Sequence, residues 1–303
     1  GRPVSIGYLE APCPRPGSFE LFFPAEAIRD ALQQMGHLHG RDITYERACA
    51  ADRVQLVAVA HDLVQRATII VAIGAEALRA AMDVTTTIPI VMLAPDVARH
   101  ESDRGSLRPA ANVTGVSLSM AEPARRRLEI LKQLALTLSR IAVLWNPEDS
   151  GATREWRGLL AAAGPLGLTL EPKEIRDPGD LETALVTMAL SQARGLIVTL
   201  DALTYATRHR ITEFATTGRF PAIHPIEAFV RAGGLLAYGP RFSDLAWQVA
   251  GYVDKILDGV RPGDLPIEQP TKFELVINLK AATALGLTIP PPLLLRADQV
   301  IDP

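Results

Sequence analysis

The stretch TIIVAIGAEALRAAMDVTTTIPIVMLAPD, residues 68–96, contains the pattern that decides the fold. The β-branched run Thr68–Ile73 ends at Gly74, apolar residues at helical spacing follow over Ala75–Met82, and Ile88–Leu93 is a further apolar run. A strand, a helix and a strand in direct succession are typical of parallel sheets that are covered by helices. The stretch therefore predicts an α/β fold.

The same alternation continues towards both ends of the chain, with a break near Thr114–Met120, and predicts two successive doubly wound parallel sheets. The long helix Ala121–Leu136 is expected to carry Arg125, Arg126 and Arg127 on its exposed side. The other predicted strands are Val4–Leu9, Ile43–Arg47, Val113–Val116, Ile141–Trp145, Leu168–Ile175, Gly195–Leu200, Pro221–His224 and Leu235–Tyr238; the other predicted helices are Ala25–Met35, Val54–Arg66, Thr153–Ala163, Leu181–Gln192, Arg208–Thr216, Ile226–Arg231 and Ala246–Leu257.

Composition narrows the class of protein. Hydrophobic residues make up 48% of the 303 residues and charged residues 21%, which is ample for packed cores. The formal net charge of −3 lacks the basic surplus typical of nucleic-acid-binding proteins, so no nucleic-acid partner is expected. No apolar run reaches the ~18 residues of a membrane span. The first strand begins at Val4, which suits a cytosolic protein or a secreted one whose leader has been removed.

The two cysteines, Cys13 and Cys49, follow the first two predicted strands. If these strands are parallel neighbours, both thiols lie at the same edge of the sheet. They then form a disulfide in an oxidising compartment or remain two unpaired thiols, and both alternatives stay open.

Residues that follow the predicted strands are the candidate ligand contacts, because ligands bind beyond the carboxyl ends of parallel strands and in clefts between two such sheets. These candidates are Ser18, Phe19, Glu20, Gly74, Ala75, Glu76, Pro95, Asp96, Asn146, Asp201, His224 and Tyr238.

Each candidate type has a binding interpretation and a structural one. Backbone N–H groups at Gly74 and Ala75 suit a carboxylate, and the alternative is an ordinary strand-to-helix turn. Glu76 either complements the helix dipole or contacts a ligand ammonium. A carboxylate such as Asp201 holds an amine or hydroxyl, or caps a helix. Tyr238 offers a ring and a hydroxyl together.

Catalytic motifs are missing from the sequence. It has no G-x-S-x-G elbow, no phosphate-binding G-x-x-x-x-G-K-[ST] loop, no G-x-G-x-x-G after the first strand and no zinc spacing among its six histidines. We therefore expect no catalytic residue, no metal and no cofactor. Two alternatives remain: an enzyme on a two-lobed scaffold, such as a nucleotide-sugar transferase or epimerase, and a ligand-sensing regulator, which needs a DNA-binding head before the first strand.

Several segments, from the middle of the chain to its C-terminal end, form a recognisable set. They are NVTGVS (112–117), RLEILK (127–132), IAVLWNP (141–147), GGLLAYGP (233–240), YVDKIL (252–257), LPIEQPTKFELVINLK (265–280), ALGLTIP (284–290) and LLRAD (294–298). Together they resemble the ABC transporter substrate-binding family that includes the tryptophan and aromatic-amino-acid type binding proteins. The resemblance covers essentially the whole chain.

The resemblance implies a type I periplasmic-binding-protein fold, with an interlobe cleft and a hinge of three crossings near Gly115, Pro240 and Thr271. It implies an N-terminal lobe of residues 1–115 plus 241–270 and a C-terminal lobe of residues 116–240 plus 271–303.

The implied function is capture of a small ligand by closure of the lobes. The implied ligand classes are amino acids, aromatic ones included, and other small carboxylates. The implied partner is an ABC permease, and the implied location is the periplasm or the outer face of the membrane. A monomer is expected.

The family's ligand contacts correspond to the first loop, Gly74-Ala75, Asp96, Asn146, Asp201 and Tyr238. Two departures concern the ligand: Ala75-Glu76 stands where the family usually has Ser or Thr beside Gly, and Pro95-Asp96 inverts the usual order.

Overall fold

The structure is a computed structural model, and it describes residues 3–10, 24–50, 53–94, 111–118 and 120–301. The chain divides into two compact units. Unit 1 comprises Gly1–Ser119 and Phe242–Pro270, and unit 2 comprises Met120–Arg241 and Thr271–Pro303.

The first segment of the chain alternates strands and helices within unit 1. Its elements are β1 (Val4–Glu10), α1 (Pro24–Gln34), β2 (Ile43–Cys49), α2 (Arg53–Val64), β3 (Ile69–Ile73), α3 (Ala75–Val84), β4 (Ile90–Ala94) and β5 (Val113–Ser117).

The chain then builds most of unit 2 before returning to unit 1. The unit 2 elements are α4 (Ala121–Leu134), β6 (Arg140–Trp145), α5 (Ser150–Ala163), β7 (Thr169–Glu174), α6 (Pro178–Leu190), β8 (Leu196–Val198), α7 (Ala202–Ala206), α8 (Arg208–Thr217), β9 (Ala222–His224), α9 (Glu227–Arg231) and β10 (Leu236–Pro240). Helix α10 (Phe242–Leu257) and strand β11 (Ile267–Glu268) belong to unit 1, and β12 (Phe273–Asn278), α11 (Leu279–Leu285), α12 (Pro291–Leu294) and β13 (Gln299–Ile301) complete unit 2.

The unit 1 sheet has the strand order β2-β1-β3-β4-β5-β11, and all of its pairs are parallel. Alternate side chains point to opposite faces, so the sheet has two apolar layers. Ile6 and Val71 pack on one face with α1 and α10, whereas Ile70 and Met92 pack on the other with α2 and α3. Burial on both faces explains why these strands are continuous apolar runs.

The unit 2 sheet has the order β7-β6-β8-β9-β10-β12-β13. Its pairs are parallel except that β10 and β12 run antiparallel. The sequence pattern predicts no strand at Phe273–Asn278, although five of its six residues are buried. The largest apolar cluster of the unit joins α4 and α5 to one face of this sheet.

The prediction that Arg127 lies on an exposed helix surface is wrong. Its side chain is fully buried, whereas Arg125 on the same helix is exposed. Ala124 and Leu131 stand three residues before and four residues after Arg127, so all three share the buried stripe of α4.

None of the helices in the described ranges combines the length and the apolar character needed to cross a membrane.

Candidate functional site

In unit 1, the turn from β3 to α3 is open at Gly74. This residue caps α3 with φ 93°, and no side chain among the described residues accepts a cap hydrogen bond there. A Cβ on Gly74 would meet no atom of the described residues within 4 Å. The Gly74 N–H donates to Leu93 O at 2.9 Å, so the prediction that it serves a ligand carboxylate is wrong. The N-terminal N–H groups of α3, which begins at Ala75, are thus free of a side-chain acceptor, as a carboxylate site requires.

Glu76, the next residue of α3, has an intrahelical partner. Its Oε1 atom accepts a 2.7 Å hydrogen bond from Nη1 of Arg79, and both side chains are partly exposed. The structure therefore places Glu76 in an ion pair at the helix start, which suits the helix dipole.

Two polar side chains at the same sheet edge were missed in the sequence analysis. Glu10 ends β1 directly beside Ile73 of β3, is buried, and accepts a 2.6 Å hydrogen bond from Arg47 through Oε2. Burial raises the pKa of Glu10, although Arg47 opposes this shift. Ser117 ends β5, and its buried hydroxyl has no hydrogen-bond partner within the described ranges. The sequence signal for Glu10 was a charge at the end of an apolar strand.

The alternative of unpaired thiols is wrong for Cys49, which is disulfide-bonded. The other cysteine of the chain, Cys13, lies outside the described residues. Of the predicted contacts, Ser18, Phe19, Glu20, Pro95 and Asp96 also lie outside them.

In unit 2, Asn146 directly follows β6. Its Oδ1 atom accepts a 2.9 Å hydrogen bond from the backbone N–H of Glu148, so the amide oxygen stabilises the turn that leads to α5. The preceding residue, Trp145, is buried and stacks on Trp156 of α5, with ring centroids 5.5 Å apart. Neither tryptophan is among the contacts predicted from the sequence.

Asp201 follows β8 and is the N-cap of α7. Its Oδ1 atom accepts hydrogen bonds from Leu203 N at 2.8 Å and Thr204 N at 3.0 Å. The single hydroxyl proton of Thr204 has its shortest contact with Thr199 O, at 2.8 Å, compared with 3.2 Å to Asp201 Oδ2. Oδ2 is therefore the carboxylate oxygen with capacity for a further donor. Burial raises the pKa of Asp201 to about 7.

His224 ends β9 with a fully buried ring that stacks on Phe229 at 5.1 Å. Neither ring nitrogen has a hydrogen-bond partner among the residues that the structure describes. Burial, with a smaller contribution from the charge of Arg127, lowers the pKa of His224 to about 3. A neutral histidine packed in this way resembles a core residue more than a ligand contact.

Tyr238 lies in β10, where its half-buried ring packs on the α4 and α5 side of the sheet. It stacks on Phe273 of β12, with centroids 6.1 Å apart. Burial raises the pKa of the Tyr238 hydroxyl. Phe273 was missed because it is distant in sequence; the antiparallel pairing places it opposite Pro240.

The strand register relates these unit 2 residues. Leu144 pairs with Val198, so Trp145 at the end of β6 and Thr199 just after β8 stand side by side. Ala237 pairs with His224, so Tyr238 lies one residue beyond the end of the neighbouring β9 and two residues before the end of β10. Tyr238 and His224 project to opposite faces, since Tyr238 packs with the α4 and α5 cluster and His224 packs on α9. The structure thus brings Asn146, Asp201 and Tyr238 to one sheet edge, with His224 beneath it on the other face.

The described residues contain no group of three or more His, Cys, Asp or Glu side chains arranged to hold a metal ion. What the edges do offer is helix N–H groups, a carboxylate oxygen and stacked rings. These groups suit non-covalent binding of a small amphipathic molecule.

Comparisons with known proteins found relatives that match this chain over most or nearly all of its length. A tyrosine-binding protein from Clostridioides difficile (strain R20291) is 24% identical over 260 residues, which are 85% of this chain and 74% of that protein. A crystal structure of an ABC domain in complex with L-Trp from Streptococcus pneumonia has a TM-score of 0.86 at 23% identity, with 99% of this chain and 100% of that chain covered. A conserved domain protein from Vibrio cholerae has a TM-score of 0.85 at 24% identity, with 99% of both chains covered.

These structures share the type I periplasmic-binding-protein fold with this chain. The family model described as ABC transporter substrate binding protein matches residues 22–301. The chain therefore belongs to the ABC transporter substrate binding protein family.

Proposed function

We propose that this protein is the solute-binding component of an ABC importer and that its ligand is an aromatic L-amino acid. Unit 1 and unit 2 act as two lobes that close on the ligand, and the loaded protein then docks on a permease. It acts as a monomer in the periplasm or at the outer face of the membrane. It binds no nucleic acid and releases its ligand chemically unchanged.

The observation that carries the ligand class is the pairing of an aromatic surface with a carboxylate oxygen at one edge of the unit 2 sheet. Tyr238 stacks on Phe273 there, and Asp201 Oδ2 has capacity for a donor. A ring and an ammonium group are the features of an aromatic amino acid that such a surface recognises. The tyrosine-binding relative and the neighbour with bound L-Trp support the same class.

The third feature of an amino acid, its carboxylate, has a matching site in unit 1. The N-terminus of α3 presents the backbone N–H groups that begin at Ala75, and no side chain among the described residues caps them. Because Ala75 lacks a hydroxyl, this site depends on main-chain donors and the helix dipole alone.

Calorimetric titration and thermal melting test the proposal. The panel is L-tryptophan, L-tyrosine and L-phenylalanine, with D-tryptophan, tryptamine and indole-3-propionate as matched compounds that invert or remove the α-carbon groups. We expect saturable binding of at least one L-amino acid and a raised melting temperature, since a ligand at about 100 times its Kd stabilises the native state by about 2.7 kcal/mol. Binding of tryptamine or indole-3-propionate is expected to be much weaker.

Two outcomes would contradict the ligand class: no aromatic amino acid binds while a sugar or nucleoside does, or tryptamine binds as tightly as L-tryptophan. Recovery of a chemically altered ligand would contradict the transport assignment itself.

A further inference from the structure

A fully buried ion pair joins α4 to α5 in unit 2. Arg127 donates a hydrogen bond from Nη2 to Oε1 of Glu155, and neither side chain is exposed to solvent. Burial lowers the pKa of Arg127 to about 9, so the guanidinium is charged at neutral pH.

Packing between these helices does not require charges. Leu128 and Leu131 of α4 and Leu159 of α5 belong to one buried apolar cluster. Buried ion pairs are costly to desolvate, and apolar residues of similar volume often replace them without loss of stability. The hydrogen bonding of the pair is also incomplete, because Arg127 Nε and Nη1 have no partner in the part of the chain that the structure describes. The pair therefore needs an explanation other than helix packing.

A contact of the second carboxylate oxygen of Glu155 explains why the buried pair is present. Its Oε2 atom accepts a 3.3 Å hydrogen bond from the backbone N–H of Leu200, which lies between Thr199 and Asp201 in the β8–α7 turn. Thr204 holds the same turn from the other side, because its hydroxyl donates to Thr199 O at 2.8 Å. Glu155 is thus the contact that ties this turn to α5.

We infer that Arg127 and Glu155 are positioning residues that fix the backbone of residues 199–201 and so hold Asp201 in place for the ligand. Arg127 orients and charge-balances Glu155, and Glu155 anchors Leu200. This inference rests on the proposed function for the ligand contact of Asp201, whereas the anchoring of Leu200 stands without it.

The test replaces the whole pair, because a single substitution would strand a buried charge. In the double variant Arg127→Met/Glu155→Leu we expect a melting temperature close to that of the parent. Native-state hydrogen exchange of the Leu200 amide is expected to be about tenfold faster, as for loss of a hydrogen bond to a charged group. The affinity for L-tryptophan is expected to fall by about tenfold because Asp201 is less well held.

A matched control makes the same substitutions at an exposed ion pair of unit 2. Arg210→Met/Glu182→Leu removes the contact between Arg210 Nε and Glu182 Oε1 at 2.8 Å, and should change neither Leu200 exchange nor affinity. If the buried double variant fails to fold, Arg127→Met/Glu155→Gln takes its place, because it also leaves no buried charge unpaired. Its amide oxygen can still accept from Leu200, so this variant should show partial protection of that amide.

Unchanged Leu200 exchange in a folded Arg127→Met/Glu155→Leu variant, or full protection of the Leu200 amide in Arg127→Met/Glu155→Gln, overturns the anchoring role. Faster exchange with unchanged L-tryptophan affinity overturns the link to the ligand. If the parent binds no aromatic amino acid, the proposed function fails, and Leu200 exchange in the free protein still decides the anchoring role.

Discussion

The α-carbon of Gly115 in β5 lies against the main chain of Met92 in β4, so closely that a Cβ at position 115 would be 2.3 Å from the Met92 carbonyl oxygen and 2.6 Å from its nitrogen. Gly115 also has φ 128°, in a region that L-residues rarely adopt. Two independent constraints therefore require glycine at this point of the unit 1 sheet.

We expect Gly115→Ala to destabilise the protein by about 3 kcal/mol, because it adds backbone strain to a main-chain clash. The control is Gly251→Ala in α10, where a Cβ meets nothing within 4 Å. Alanine is the better helix former, so this variant should gain about 0.5–1 kcal/mol. Urea unfolding of both variants checks the prediction, and equal stabilities would contradict it.

Asp201 makes stability depend on pH. Its native pKa of about 7 lies above the ordinary value of 3.8, so the native state holds the proton more tightly than the unfolded chain does. The stabilising contribution of this group is fully present below about pH 4 and is lost as the pH rises to about 7.

Asp201→Asn removes this titration and keeps an N-cap acceptor. Relative to the variant, the parent should lose free energy of unfolding between about pH 4 and pH 7. Urea titrations across this range measure the difference. Asp177→Asn is the control, since Asp177 caps α6 from an exposed position. A constant difference between parent and Asp201→Asn would show that the carboxyl is not perturbed.

The effect of His224 on the pH dependence of stability is opposite to that of Asp201. Its native pKa of about 3 lies below the ordinary value of 6.5, so the unfolded chain binds the proton more tightly. The contribution of the neutral ring is present above about pH 6.5 and is lost as the pH falls towards about 3.

We expect His224→Gln to start from lower stability, because it loses the stack on Phe229, but to lose less on acidification than the parent. Circular dichroism during urea unfolding from pH 7 to pH 3.5 gives both curves, and His61→Gln on the exposed surface of α2 is the control. If the free energy of unfolding falls equally with decreasing pH in His224→Gln and in the parent, the prediction is refuted.

Tyr238 provides a test of the proposed aromatic contact. Replacement by leucine removes the ring that stacks on Phe273, and we expect about tenfold weaker binding of L-tryptophan, equivalent to about 1.4 kcal/mol. Tyr238→Phe keeps the ring and should bind within about threefold of the parent, a difference below about 0.7 kcal/mol. Trp247→Leu, at an exposed aromatic of α10, controls for general loss of aromatic surface. If calorimetry gives the same affinity for L-tryptophan in Tyr238→Leu and in the parent, this contact is excluded.

The βα alternation was predictable because it depends on local patterns. Strands buried on both faces are continuous apolar runs, and amphipathic helices between them have a visible period. Strand β12 was not predicted, because its antiparallel pairing with β10 joins residues far apart in the chain. Arg127 was misplaced because three consecutive arginines indicate a solvated surface, although the third lies in the apolar stripe of α4.

The candidate site could be predicted only in part. The ends of the strands can be predicted from the sequence, and they indicated Gly74, Asn146, Asp201 and Tyr238 as ligand contacts. The sequence left open whether each side chain binds a ligand or stabilises its own turn. The structure assigns cap and turn hydrogen bonds to Asp201 and Asn146, and it adds Phe273 as the partner of Tyr238.

The sequence by itself determined the fold class, the family and the strand ends where a ligand can bind, because these follow from short-range periodicity and from contiguous motifs. Only the tertiary structure decided that Arg127 is buried against Glu155, that His224 and Tyr238 project to opposite faces, and that one oxygen of Asp201 retains capacity for a donor. Such relationships depend on strand register and on helix packing across large sequence separations, and no local pattern encodes them.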